Sequence, residues 1–197
     1  MRVGVLALQG DVPEHIRAIE PLLGGERART VRRPSDLADL QALLLPGGES
    51  TTIGRLLDHA GLRAPLRKEI DNGLPVLATC AGLVLLAREI EASPGGRDPQ
   101  PLRVLDVRVR RNDYGRQRES FEAPLTVEGV RGDPYPGVFI RSPRILAVGP
   151  EARPLAWHGK EVVGVRAGRV WGLTFHPELA GDPRVHRAFL AAALRRP

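Results

Sequence analysis

Short apolar runs alternate with segments of helical spacing along the first half of the chain. The run at residues 3–8 is nearly continuous, as in strands that are buried on both faces of a parallel sheet. Asp11 follows this run and is placed to cap a helix that carries Ile16 and Ile19. Three more strand-length runs are residues 28–31, 42–45 and 76–79. This alternation predicts an α/β domain with a parallel sheet and right-handed crossovers.

The second half of the chain has a different pattern, in which apolar and charged residues alternate. Such alternation is typical of antiparallel strands with one solvated face. The predicted strands are residues 102–109, 121–130, 138–140, 145–148 and 154–157, followed by a hairpin of residues 162–166 and 170–175 and a final helix over 182–194. We therefore expect residues 1–197 to form a single three-layer α/β domain, a mostly parallel sheet flanked by helices with an antiparallel extension.

Two polar segments interrupt the second half. Residues 93–101 are rich in Pro and Gly and predict an exposed loop. Residues 110–117 are too polar for the core, and the sequence leaves open whether they form a structural turn or a loop that faces a substrate.

Composition and charge narrow the possible functions. The net charge is +6, but the basic residues are scattered and aromatic residues make up only 4%, which argues against nucleic-acid binding. An acidic protein partner would suit this surface equally well. No apolar run is long enough to span a membrane, and the first run lacks a signal-peptide cleavage site. A single cysteine excludes an internal disulfide and a cysteine-based zinc site, so we expect a cytoplasmic protein without metal or cofactor.

That cysteine, Cys80, lies where a predicted strand meets a predicted helix. Its small neighbours Ala78, Ala81 and Gly82 allow the sharp turn of a nucleophile elbow. The N–H groups and the positive dipole end of the following helix favour the thiolate over the thiol. A buried cysteine with a purely structural role is the alternative for this residue considered alone.

A second candidate feature is the loop that follows the strand at residues 42–45. It contains Gly47 and Gly48 in succession, so its backbone can approach a ligand closely and direct N–H groups at a bound oxygen. Glu49 follows, and Ser50 is placed to cap the next helix. Because ligands of open α/β sheets bind at the carboxyl ends of the strands, this loop and Cys80 are expected to face one crevice.

A third feature, His176-Pro177-Glu178, follows the last predicted strand. The Glu178 carboxylate can reach back to the His176 ring and hold its tautomer, as the acid of a catalytic triad does. The other histidines are less suitable as the base. His15, His59 and His186 lie in predicted helices, and His158 lies in a predicted turn.

Together the three features supply the groups that acyl transfer requires. Cys80 would attack a carboxamide carbon, and backbone N–H groups near Gly48 and Ala81 would stabilise the oxyanion. His176 would protonate the departing ammonia and then activate water against the thioester.

These motifs resemble the PdxT/SNO family, the glutaminase subunits of pyridoxal 5′-phosphate synthase within the class I glutamine amidotransferases. The resemblance spans almost the whole chain, with the motifs in the same order. The matching segments are residues 45–52, 79–82, Arg111-Asn112, Gly115-Arg116-Gln117, 119–122, 139–141 and 174–178.

The resemblance implies roles for individual residues. It implies a triad of Cys80, His176 and Glu178. It also implies that L-glutamine is bound by Gly47, Gly48, Glu49, Ser50, Arg111, Ile140 and Arg141. A planar guanidinium suits the α-carboxylate of an amino acid, whereas the α-ammonium could pair with Glu49 or with the loop backbone.

The resemblance further implies a partner. The ammonia would pass to the synthase (lyase) subunit of a hetero-oligomeric complex, and docking on that subunit would reshape the Gly-Gly loop into a working oxyanion hole. Glutaminases of this kind would therefore be nearly inactive alone.

Three other functions are compatible with parts of this sequence. Another class I amidotransferase would share the triad, but residues 111–122 and 139–141 favour the pyridoxal branch. A small cysteine hydrolase of the same fold superfamily commonly has its base soon after the nucleophile, whereas no histidine lies between Cys80 and His158. A non-catalytic partner-binding module would leave Cys80 inert.

Overall fold

Strands and helices alternate through the first half of the computed structural model, which describes residues 1–92, 98–113 and 120–194. The strands of this half are β1 (Val3–Leu6), β2 (Arg29–Val31), β3 (Ala42–Leu45), β4 (Val76–Thr79) and β5 (Ala87–Ile90). The helices are α1 (Val12–Ile19), α2 (Ser50–His59), α3 (Arg63–Asp71) and α4 (Ala81–Leu86), with short 3₁₀ turns at Glu20–Leu22 and Pro34–Leu37.

The second half consists mainly of strands, as its alternating pattern predicts. They are β6 (Leu105–Arg110), β7 (Phe121–Val127), β8 (Tyr135–Phe139), β9 (Arg144–Val148), β10 (Arg153–His158), β11 (Glu161–Ala167) and β12 (Val170–Leu173), and the last helix is α5 (Arg184–Leu194).

Among the described residues, the main sheet has nine strands in the order β2-β1-β3-β4-β12-β11-β10-β7-β8. Its first five strands pair in parallel, and the remaining pairs are antiparallel. The carboxyl ends of β1, β3, β4 and β12 therefore share one edge, where α/β sheets bind ligands. Strands β5, β6 and β9 form a second, three-stranded sheet.

Two hydrophobic clusters cover opposite faces of the main sheet. One contains Ile53 and Leu57 of α2, Leu66 of α3 and Leu83 of α4. The other contains Ile19 of α1 together with residues of α5 such as Phe189. Full burial of a side chain such as Phe189 contributes about 1.5–3 kcal/mol. The predicted fold class, an α/β sheet between two helical layers with an antiparallel extension, is confirmed.

Local differences from the predictions have physical reasons. Apolar residues at positions 83, 86, 87 and 90 have helical spacing, which predicts a helix through residue 90. The helix α4 ends at Leu86 instead, because residues 87–90 pair with β6 as a strand. His158 is the last residue of β10 rather than part of a turn. The predicted loops at 93–101 and 110–117, the Gly115-Arg116-Gln117 motif and Glu119 lie wholly or partly outside the described residues. Within the described ranges, no helix is long and apolar enough to cross a membrane.

Candidate active site

Cys80 lies between β4 and α4 in a conformation that few residues other than glycine adopt. Its φ is 46° and its ψ is −104°, and strain of this kind concentrates at functional sites. The Cys80 N–H donates to the Leu173 carbonyl at 2.8 Å, and the Val84 N–H donates to the Cys80 carbonyl at 3.2 Å. These bonds fix the elbow, and the side chain is 7% exposed at the wall of a cavity.

His176 follows β12 and is fixed by its own backbone, whose N–H donates to the Val138 carbonyl at 2.8 Å. Its Nδ1–H donates to Glu178 Oε1 at 2.8 Å. Glu178 lies in a turn in which the Leu179 N–H donates to the His176 carbonyl at 3.2 Å. The turn brings the carboxylate back to the ring and buries it behind His176.

The electrostatics of this pair favour charge on both partners. Burial would lower the pKa of His176, but hydrogen bonds with Asp11, Cys80 and Glu178 outweigh burial and raise it. Burial would likewise raise the pKa of Glu178, but the neighbouring His15 and His176 rings lower it to about 2. At neutral pH Glu178 is therefore an ionised acceptor, and His176 readily holds a second proton.

Asp11 brings a second carboxylate to the same imidazole nitrogen. Its Oδ2 lies 3.3 Å from His176 Nδ1. Asp11 occupies the cap position of α1, as predicted, but its side chain makes no capping hydrogen bond. The carboxylate lines the cavity instead. The ring nitrogen thus faces two carboxylates, of which Glu178 is the closer.

His15 lies one helical turn after Asp11, on the far side of Glu178 from His176. Its side chain is fully buried, and its Nε2 lies 3.1 Å from Thr79 Oγ1 and 3.4 Å from Glu178 Oε2. The ring of His186 packs edge-on against it, with 5.7 Å between ring centroids. Burial lowers the pKa of both rings, that of His186 to about 3, so both are neutral at neutral pH.

The loop at Gly47 and Gly48 packs so closely against its neighbours that neither position has room for a side chain. A Cβ on Gly47 would lie 2.5 Å from His176 Cε1 and 2.8 Å from Asp11 Oδ2. Two hydrogen bonds hold the loop against the end of β1, since the Asp11 N–H donates to the Gly47 carbonyl at 3.2 Å and the Glu49 N–H donates to Gln9 Oε1 at 2.9 Å. The loop therefore lies against the His176 imidazole.

These groups surround a cavity of about 260 Å³. The predicted site residues that line it are Gly48, Glu49, Ser50, Cys80, Ala81, Arg111, Ile140, Arg141 and His176. Gly47 and Glu178 lie one layer behind the cavity wall, against His176. Ala81 is the first residue of α4, so its N–H is one of those without a partner within the helix.

Arg111 faces the cavity already paired with two carboxylates. Its Nη1 lies 3.1 Å from Asp98 Oδ1, and its Nη2 lies 3.0 Å from Glu49 Oε1. The Arg111 side chain is only 13% exposed. A substrate carboxylate that binds this guanidinium must therefore compete with groups of the protein itself.

Glu49 also takes the role that we predicted for Ser50. Its carboxylate accepts hydrogen bonds from the Thr51 and Thr52 N–H groups at 3.1 and 2.6 Å, so Glu49, not Ser50, is the cap of α2. Ser50 is the first residue of the helix. Burial would raise the pKa of Glu49, but the hydrogen bonds from Thr52 and Thr51 and the charge of Arg111 lower it.

The remaining cavity wall comes from two adjoining turns. Arg111 and Asn112 follow β6, and residues 140–143 precede β9, which is the antiparallel partner of β6. The Asp113 N–H donates to the Ser142 carbonyl at 3.2 Å, and the Ile140 N–H donates to Ser142 Oγ at 3.2 Å. The pairing of β6 with β9 thus places Arg111 beside Ile140 and Arg141.

Asp11 and His15 were not predicted as site residues from the sequence. Both follow the carboxyl end of β1, which shares an edge with β3 and β4, and they are spaced by one helical turn. That spacing was the signal that could have found them. Among the described residues, Asp11, His176 and Glu178 also offer possible metal-ligand atoms within 4.8 Å of one another, but their hydrogen bonds to one ring nitrogen already account for the cluster.

Comparison with solved structures identifies the class of protein. A crystal structure of a glutamine amidotransferase is similar over 98% of this chain and 99% of its own, with a TM-score of 0.88 and 46% sequence identity. This fold, with a cysteine elbow facing a histidine and a glutamate, is that of a glutamine amidotransferase.

The family follows from the sequence comparisons. The model of the SNO glutamine amidotransferase family matches residues 5–195. A protein named pyridoxal 5′-phosphate synthase subunit PdxT from Thermococcus onnurineus is 51% identical, covering 98% of this chain and all of the relative. Its namesake from Streptomyces avermitilis is 50% identical, covering 95% of this chain and 92% of the relative. The chain therefore belongs to the SNO glutamine amidotransferase family, and the predicted family and enzyme class, a glutaminase, are confirmed.

Proposed function

We propose that this chain hydrolyses L-glutamine to L-glutamate and ammonia with a Cys80, His176 and Glu178 triad, and supplies the ammonia to the lyase subunit of a pyridoxal 5′-phosphate synthase. The observation that carries this proposal is that Cys80 and His176 line one cavity while His176 Nδ1 donates to the buried Glu178 carboxylate. Family membership and the names of the relatives support the choice of substrate and partner.

In the proposed reaction, the Cys80 sulfur attacks the side-chain carboxamide carbon of glutamine. His176 gives its proton to the departing nitrogen, which leaves as ammonia and breaks the C–N bond. The resulting thioester is attacked by water, whose proton His176 accepts, and glutamate is released. Glu178 holds the ring so that Nε2 faces the sulfur, and its charge stabilises the imidazolium.

The N–H groups of Gly48 and Ala81 are proposed as donors to the oxyanion. Both residues line the same cavity as Cys80, and Ala81 begins α4. Gly48 has a φ of 147°, a backbone conformation that residues other than glycine rarely adopt. Donors aimed at the developing charge are typically worth on the order of 100-fold or more in rate.

The polar mouth of the cavity is proposed to bind the amino-acid end of glutamine. Arg111 and Arg141 would pair with the α-carboxylate, with Ile140 alongside. Gly47, Gly48, Glu49 and Ser50 would contact the substrate from the facing loop. Because the Glu49 carboxylate already caps α2 and pairs with Arg111, the loop backbone is the better candidate for the α-ammonium.

We also propose that residues 1–197 act as one glutaminase domain in the cytoplasm, without nucleic-acid or membrane partners. The main sheet, which takes strands from both halves of the chain, and the family match over residues 5–195 support a single domain. The single cysteine supports a cytoplasmic location. The proposal that nucleic acid is not a partner is supported by the scattered basic residues and the few aromatic residues.

The test is release of ammonia and glutamate from glutamine by the purified chain, with and without the matching lyase subunit. We expect release that depends on the lyase subunit and is abolished by Cys80→Ala. Release without any partner would contradict the coupling, and release by the Cys80→Ala variant would contradict the triad. If the complete complex releases no ammonia, the glutaminase function itself is wrong.

A further inference from the structure

We propose that His15 is a positioning residue of the active site, which donates its Nε2–H to Glu178 Oε2 and thereby fixes the acid that orients His176. This inference rests on the proposed triad and extends it by one residue. His15 does not face the cavity, so its effect on the reaction would pass through Glu178.

The geometry places the Glu178 carboxylate between two imidazole rings. Oε1 accepts the His176 Nδ1–H at 2.8 Å, and Oε2 lies 3.4 Å from His15 Nε2. The Glu178 and His15 side chains are both 0% exposed, so water cannot replace either partner. Among the described residues, Oε2 has no partner within standard hydrogen-bond geometry, and the His15 Nε2–H, 3.4 Å away, is the donor that we propose for it.

The tautomer of His15 follows from its surroundings. A neutral imidazole carries its proton on one nitrogen only. With the proton on Nδ1, the Nε2 lone pair would face the ionised Glu178 carboxylate, and the buried Nδ1–H would lack an acceptor, because Nδ1 has no partner among the described residues. With the proton on Nε2, the N–H can donate to Thr79 Oγ1 at 3.1 Å and lies 3.4 Å from the ionised Glu178 Oε2. Unpaired buried donors are rarer than unpaired acceptors, so the second tautomer is favoured.

The other groups around His15 leave it neutral. Its titratable and charged neighbours are Glu178 and His176 after β12, Asp11 and Glu14 at the start of α1, and the His186 ring on α5. Burial dominates and lowers the pKa of His15. A neutral ring adds a hydrogen bond without adding a positive charge, so Glu178 keeps its full attraction for the imidazolium of His176.

Loss of the His15 N–H would affect the rate and its pH dependence together. Leaving a buried polar atom without its partner costs about 1–3 kcal/mol, and here the stranded atom would be a carboxylate oxygen. The pKa of Glu178 would rise, and the carboxylate would hold His176 less firmly. Glutamine binding, which involves the opposite side of the cavity, would be little changed.

The experiment compares His15→Gln, His15→Asn and His15→Leu in the complete complex with the lyase subunit, measuring kcat and KM for glutamine from pH 4 to 9. Gln can place an amide N–H near the position of Nε2, whereas Asn is one methylene shorter and Leu has no donor. We expect kcat to fall about 10-fold for Asn and Leu, with KM within about 2-fold. Because the pKa of Glu178 is about 2 in the wild type and rises when the donor is lost, kcat of these two variants should also decline toward pH 4, where wild-type kcat does not. His15→Gln should recover most of kcat and the wild-type pH profile.

The matched control is His186→Leu, which changes a buried histidine whose ring nitrogens make no hydrogen bond to Glu178. This variant should leave kcat and its dependence on pH unchanged. Equal losses in the Gln and Asn variants, or a wild-type profile in both, would overturn the proposal even if Leu prevents folding. Because wild-type activity is the reference, this failure is distinct from that of the glutaminase function, in which the wild-type complex would itself be inactive.

Discussion

The active site has two parts that are built differently. The floor, which we define as Cys80, His176, Glu178 and His15, lies at the carboxyl ends of parallel strands and at the start of α1. Its side chains are almost fully buried. The rim, defined as Arg111, Glu49 and Asp98, lies on loops and turns, and its charges are partly exposed and neutralise one another.

This difference separates catalysis from binding. In the proposed mechanism, the floor is held by bonds that substrate binding does not need to break, so it would be organised for the reaction before glutamine arrives. The rim must exchange internal ion pairs for contacts with the substrate. Changes in the floor should therefore lower kcat, and changes in the rim should alter KM.

The largest effect is expected in the floor, from Glu178→Gln. An amide cannot stabilise the imidazolium of His176 by charge, and its N–H₂ group can turn toward Nδ1 and favour the wrong tautomer. We expect kcat in the complete complex to fall by about 100-fold or more, with KM within a few-fold. The matched control Glu122→Gln, on an exposed position of β7, should have wild-type kinetics, and a Glu178→Gln enzyme with more than a tenth of wild-type kcat would contradict the role of Glu178.

A smaller effect, opposite in sign, is expected in the rim from Asp98→Asn. Arg111 Nη1 donates to Asp98 Oδ1 at 3.1 Å. Removing the Asp98 charge weakens this pair, so the α-carboxylate of glutamine competes more easily for the guanidinium. KM should fall about 2- to 5-fold at unchanged kcat, which corresponds to the free energy that a partly exposed ion pair contributes. The control Glu91→Gln removes a carboxylate that pairs with the neighbouring Arg110. A rise in KM for Asp98→Asn would mean instead that Asp98 positions Arg111 for the substrate.

The smallest effect, on stability alone, is expected behind the floor from His186→Leu. The pKa of His186 is lowered from 6.5 to about 3, so below pH 6.5 the unfolded chain binds a proton there that the folded chain does not. Wild-type stability should fall as the pH drops from 6.5 toward 3, by about 1.4 kcal/mol per pH unit for this residue.

His186→Leu removes that contribution, and chemical denaturation between pH 6 and 5 should show a correspondingly flatter slope. The control Phe189→Leu, a buried change on the same helix, should lower stability equally at each pH. A slope unchanged by His186→Leu would indicate that His186 is protonated in the folded protein.

The floor and the rim also differ in how much of them the sequence predicted. Strong local patterns located Cys80 at a strand-to-helix turn and His176 after the last strand. His15 was set aside because it lies in a predicted helix, and its contact with Glu178 joins residues 163 positions apart. The Gly-Gly loop was identified, but the cap of α2 was assigned to Ser50, because residue preferences did not indicate that the Glu49 side chain would reach Thr51 and Thr52.

The rim was predicted least completely. Arg111 and Arg141 came from family resemblance, and Asp98 belongs to a polar segment whose pattern indicated only a loop. Likewise, β5 was predicted as helix because its local spacing is helical, while its pairing with β6 decides the conformation. These incorrect or incomplete predictions share a cause, since the interactions that determine the conformation connect distant parts of the chain.

The backbone bond between His176 and Val138 has a consequence for biosynthesis. The proposed base, His176, is held by β8 and follows β12, whereas the proposed nucleophile, Cys80, lies in the first half of the chain. During synthesis the ribosome therefore releases the cysteine elbow well before the histidine that would activate it, at about 5–20 residues per second. A nascent or truncated chain that lacks β12 carries the thiol but no general base, so hydrolysis must wait until both halves of the main sheet have joined.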